Sequence, residues 1–85
     1  MNDELLELRD QLAKTGSLKI DMRGEGKAAF LYIQSSKHAV EISVEGNGFF
    51  VEYWDEADEE SEKGPVRSEI VESKSDVIRN VTEWL

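Results

Sequence analysis

Between Leu18 and Trp54 the chain alternates apolar and polar residues in successive short runs separated by gaps of only a few residues. Nothing else constrains the fold as tightly. A period of two places neighbouring side chains on opposite faces of a strand. Gaps this short join antiparallel neighbours, because a parallel crossover needs a dozen residues or more. In the first run Leu18, Ile20 and Met22 share one face, and Lys19, Asp21 and Arg23 the other. Gly24, Glu25 and Gly26 read as the hairpin turn into Lys27 to Gln34, where Phe30, Leu31, Tyr32 and Ile33 put apolar groups on both faces and so predict a central strand. After a turn at Ser35 to Lys37, His38, Val40, Ile42 and Val44 alternate with Ala39, Glu41 and Ser43. Glu45-Gly46-Asn47-Gly48 is the strongest turn signal in the chain, through its Asn-Gly pair. It leads straight into Phe49 to Trp54, with Phe49, Val51 and Tyr53 on one face and Phe50 and Trp54 on the other.

Helical periodicity flanks these strands. Leu5, Leu8 and Leu12 form one stripe within Asn2 to Thr15, with Asn2 or Asp3 able to cap the start and Gly16 placed for a left-handed end. Gly64 and Pro65 precede Val66 to Val71, a fifth strand suited to an edge. Ser73 stands three residues before Asp76, a capping-box-like start to a helix striped by Val77, Ile78, Val81, Trp84 and Leu85. The expected fold is α+β: an N-terminal helix, an antiparallel meander of four or five strands and a C-terminal helix, with both helices on one face of the sheet. The 85 residues, 39% of them hydrophobic, suffice for a single domain spanning 1–85.

The charge is concentrated. The formal net is -9, and residues 45–63 alone hold eight acids and one lysine, a net of -7. From Asp55 to Gly64 no apolar residue is larger than Ala57, which predicts a flexible, solvated acidic loop. Such a balance opposes sequence-independent binding to nucleic acid or an anionic membrane and points to a basic protein partner. With no cysteine, disulfides, thiolate metal sites and cysteine nucleophiles are excluded. The longest apolar run, Ala28 to Ile33, is far short of the roughly 18 residues of a membrane span, and the acidic start is unlike a signal peptide. A soluble, cytoplasmic protein is the expectation.

Chemistry finds little purchase. His38 is the one histidine and has the parity of Val40 and Ile42, which gives it a structural place at the start of a strand. Asp55 to Glu60 lacks the glycine and the alternating ligands of a calcium loop, and Gly24-Glu25-Gly26 lacks the lysine and following helix of a phosphate loop. No enzyme activity, metal or cofactor is therefore expected. Two alternatives stand beside a binding module. One is a small enzyme or ligand-binding domain with a pocket lined by His38, Tyr32 and neighbouring carboxylates. The other is a homodimer formed through Ala28, Phe30 and Tyr32 on an exposed sheet face.

What remains is an aromatic strand running into an acidic loop, the combination a steered protein interface needs: charge speeds encounter and buried rings slow dissociation. Phe50, Trp54, Asp55, Glu56, Asp58, Glu59 and Glu60 are the candidate contacts. The aromatic strand FFVEYWD, the acidic DEADEESEKG, the short PVRSEIV and the terminal SDVIRNVTEWL, over about residues 49–85, together resemble the tail of small acidic immunity proteins that guard bacteria against polymorphic or contact-dependent toxins. In such families acidic surfaces cover a basic toxin site. The resemblance implies Asp55, Glu56, Asp58, Glu59 and Glu60 as contacts here.

Overall fold

The computed structural model describes residues 3–14, 18–55 and 64–85. Its elements are α1 (Asp3–Ala13), β1 (Lys19–Arg23), a 3-10 turn (Gly26–Ala28), β2 (Phe30–Gln34), β3 (Ala39–Glu45), β4 (Gly48–Trp54), β5 (Arg67–Val71) and α2 (Lys74–Trp84). The five strands form one antiparallel sheet in chain order, β1-β2-β3-β4-β5, the meander expected from the short gaps.

The tightest turn sets the central register. Glu45 pairs with Gly48, which leaves Gly46 and Asn47 as a two-residue loop. Gly46 takes φ 58 and Asn47 does not follow it into the left-handed region. Positive φ at the first loop position alone is the type II′ pattern, which selects glycine there. The turn is thus Gly-Asn rather than the expected Asn-Gly, and Gly48 already belongs to β4. Gly48 serves packing instead: a Cβ at this position would lie 2.9 Å from the Val71 carbonyl oxygen.

The connection before β2 also differs from expectation. The strand starts at Phe30, not Lys27. Ala28 N–H donates to the Glu25 carbonyl at 3.0 Å and Ala29 N–H to the Gly26 carbonyl at 3.3 Å. These residues satisfy their backbone locally, as a short 3-10 turn. Pairing with β1 then begins at Arg23 and Phe30.

One face of the sheet meets both helices. Leu5, Leu8 and Leu12 of α1 and Val77 and Val81 of α2 are fully buried against Leu31, Ile33, Val40, Ile42, Val51 and Tyr53. Burying each of these leucines contributes about 1.5–3 kcal/mol. Ser73 Oγ accepts from the Asp76 N–H at 3.2 Å and caps α2 as its spacing predicts. Lys74 at the start of α2 forms an ion pair with Glu7 of α1. The expected cap at Asn2 and the expected stop at Gly16 lie outside the described residues. Among the described residues, no helix is long and apolar enough to cross a membrane.

Candidate protein-binding face

Because a strand's side chains alternate, the residues between the buried ones point to the sheet's other face, where no described helix packs. The register sorts them into rows. Arg23, Phe30, Ser43, Phe50 and Ile70 form one row; Asp21, Tyr32, Glu41, Glu52 and Ser68 form the next. Trp54 stands across from Ala39 in a third. Phe30, Phe50 and Trp54 are half-buried, while Ile70 is 65% exposed. Glu41 and Glu52 face each other directly on adjacent strands. Both line a shallow cavity of about 280 Å³, together with Ala28, Ala29, Phe30, Ser43, Val44 and Glu45. Tyr32, on the same face, is buried beneath the Arg23 guanidinium, which lies 4.5 Å from its ring centroid. Arg23 also reaches Asp21, at 3.5 Å.

Of the residues singled out from the sequence, Phe50 and Trp54 are brought to this face. Asp55 is exposed at the end of β4, where its backbone carbonyl accepts from His38 Nδ1 at 2.9 Å. Glu56, Asp58, Glu59 and Glu60 lie outside the described residues. Phe30, expected in a dimer patch, also lies on this face, and Glu41, Glu52 and Ile70 join it without having been expected there. The turn at Gly46 and Asn47 carried the signal for two of them, since pairing outward from Glu45 and Gly48 aligns Glu41 with Glu52. No protein-family model, curated protein or solved structure matches this chain.

The helix-covered side holds a different kind of cluster. Tyr53 Oη donates to Glu69 Oε1 at 2.8 Å, Asn80 Nδ2 donates to the same oxygen at 2.9 Å, and Arg67 Nη2 donates to Oε2 at 2.6 Å. Burial pushes the Glu69 carboxyl up, but the hydrogen bonds from Arg67, Tyr53 and Asn80 and the Arg67 charge outweigh it. Glu69 therefore titrates below its ordinary value of 4.5. Burial, then the hydrogen bond to Glu69 and its charge, push the Tyr53 hydroxyl well above its ordinary 10.0. An adjoining cavity of about 230 Å³ is lined by Tyr53, Arg67, Asn80, Glu83 and Trp84. Three of those five groups already serve Glu69.

His38 packs on Trp84, ring centroids 5.2 Å apart, and its Nδ1 must carry the proton because a carbonyl oxygen only accepts. The Asp55 carboxylate lies 3.9 Å away and is mostly exposed. Tyr32 belongs to the opposite face of the sheet, so the pocket imagined around His38 and Tyr32 does not assemble. The dimer patch imagined from Ala28, Phe30 and Tyr32 exposes Ala28, half-buries Phe30 and buries Tyr32.

Proposed function

We propose that this protein is a non-enzymatic binding module that recognises a basic protein through the uncovered face of its sheet, in the manner of an immunity protein or inhibitor. The Glu41–Glu52 pair, set between the Phe30–Phe50–Ile70 row and Trp54, carries this reading. Like charges directly opposed across two strands cost stability. A partner's Lys or Arg placed over them is attracted by both carboxylates, and the neighbouring rings bury the stem of such a side chain. The acid-rich stretch from Asp55 through Glu56, Asp58, Glu59 and Glu60 to Glu62 adds long-range attraction, screened beyond about 8 Å at physiological ionic strength. His38 supports an enzymatic alternative less well, since it is occupied by the Asp55 carbonyl and Trp84.

Partner capture from the source cells at low and high salt, followed by association kinetics on the captured protein, tests this function. Reversing Asp58, Glu59 and Glu60 to Lys should slow association and flatten its salt dependence. Glu52→Lys and Trp54→Ala should instead speed dissociation, Trp54→Ala by about 2 kcal/mol or more if the ring is an anchor. Recovery of the same partners by all variants, equally resistant to salt, would show that neither the loop nor the face recognises them.

A further inference from the structure

The two edges of the sheet are not alike. Edge strands invite pairing with other chains, and proteins guard them with charges, prolines or covering elements. On the uncovered face β1 presents Lys19, Asp21 and Arg23, a charged guard. β5 presents Ser68 and Ile70 there, neither of them charged. Val66 and Ile70 are the exposed large apolar residues among those described, at 56% and 65% exposure, and both lie on β5 or at its entry. The strand is nevertheless firmly held. Glu69 ties it to Tyr53 of β4 and Asn80 of α2. The Val66 N–H also donates to the Tyr53 carbonyl at 2.8 Å, although the ladder pairs Tyr53 with Arg67. Arg67 and Glu69 of this strand point to the helix-covered side, so the edge is held in place yet carries no charge on the uncovered face, and little ordering cost falls on accepting a strand there.

The register states what that strand must carry. Ser68 continues the row of Glu52 and Glu41, and Ile70 continues the row of Phe50 and Phe30. A residue added outside Ser68 lies about 9.5 Å from Glu52, two strand spacings away. Because Ser68 between them is small, a Lys or Arg at that place can reach across it to the carboxylate. A residue two positions along the added strand, on the same face, packs on Ile70 and Phe50.

We propose that the edge of β5, which pairs with no second strand among the described residues, takes one extended strand from the basic partner, with Lys or Arg beside Ser68 and an apolar residue two positions away beside Ile70. This rests on the basic-partner function proposed above and specifies how that partner docks. In an antiparallel addition the apolar residue precedes the cation.

The test uses the full-length chain, labelled with nitrogen-15, and a synthetic threonine-rich peptide carrying Val and Lys two residues apart. Amide shifts concentrated at Arg67 to Val71 are expected. Binding should weaken at least about tenfold when alternate peptide amides are N-methylated in one of the two phases, because strand addition depends on backbone hydrogen bonds. Ile70→Lys should weaken it comparably while leaving the melting temperature within a few degrees, the side chain being exposed. Shifts confined to Phe30, Phe50 and Glu52, indifferent to N-methylation, would overturn strand addition and leave the binding face standing. Equal binding by a peptide with Glu in place of Lys would overturn both. Shifts in β5 that depend only on the concentration of this chain would assign the edge to a second copy and overturn the proposal, as would failure of the Lys peptide to bind.

Discussion

The Trp84 indole Nε1 donates to the backbone carbonyl of Trp54 at 3.1 Å, fastening the last turn of α2 to the strand end from which the acid-rich segment departs. The same ring packs edge-on against Tyr53, centroids 5.4 Å apart, and against His38. Trp54 itself lies on the opposite, uncovered face. One residue of β4 thus links the helix layer, through its carbonyl, to the uncovered face, through its side chain.

Removing only the hydrogen bond should therefore cost much less than removing the ring. Trp84→Phe retains a ring against His38 and Tyr53 and should lose about 1 kcal/mol. A chain ending at Glu83 loses Trp84 and the packed Leu85 and should lose about 3 kcal/mol or more. Urea denaturation of the two variants checks the order. A shortened chain that melts within a degree or two of the full one would contradict the docking of α2.

Gly48→Ala should destabilise the sheet by about 1–3 kcal/mol, because the new methyl meets the Val71 carbonyl oxygen at 2.9 Å and forces β4 and β5 apart. The Cβ of Gly46→Asn would meet no neighbouring atom, but the first position of a type II′ turn strains any residue other than glycine, so this change should also cost about 1–3 kcal/mol, through the backbone instead of through packing. Thermal melts check both variants, and a Gly48→Ala melt within a degree or two of wild type would show that β5 yields easily.

The Glu69 network makes stability depend on pH at both ends of the range. The folded pKa of Glu69 is depressed, so its contribution is present above its unfolded value of 4.5 and is lost as pH falls through the lower folded value. The folded pKa of Tyr53 is raised, so its contribution is present below 10.0 and is lost as pH rises towards the higher folded value. Melting temperature against pH should show both limbs. Glu69→Gln should flatten the acid limb and Tyr53→Phe the alkaline one. If the acid limb of Glu69→Gln stayed as steep as wild type, other carboxylates would be responsible.

Glu52→Lys should separate stability from binding. It replaces a like-charged pair with an opposite one across from Glu41 and should stabilise the fold by about 0.2–1 kcal/mol while weakening the basic partner. Denaturant midpoints and partner dissociation rates, measured on the same preparation, check the two effects. Loss of both stability and binding would mean that Glu52 has a structural task of its own.

The element plan could be read from the chain because each signal is local. Leucine spacing marked α1, the Ser73 cap marked the start of α2, and alternation marked which residues of β3 and β4 face the core. The misplaced start of β2 shows the limit of such signals. Gly26 to Ala28 have the composition of a turn flanking a strand, and the choice of a 3-10 turn depended on where β1 stops pairing. The candidate site was half legible. Phe50 and Trp54 follow from parity and the acids of the loop stand out by abundance, whereas neither strand by itself marks the pair within the sheet. Glu41 and Glu52 are ordinary outward-facing residues in their own strands, and only the hairpin sets one against the other.

By itself, then, the sequence determined the secondary structure, the antiparallel order and the side of each strand that is buried, since these depend on periods of two and 3.6 and on turns between chain neighbours. Tertiary structure decided how the outward-facing rows continue beyond the Gly46–Asn47 hairpin, which edge presents no charge on the uncovered face, and that Trp84 closes on the carbonyl of Trp54. Other packing contacts are as remote in the chain, Asn80 meeting Glu69 from 11 positions away and Lys74 meeting Glu7 from 67, and no local period encodes a contact that exists only when separate elements are packed together.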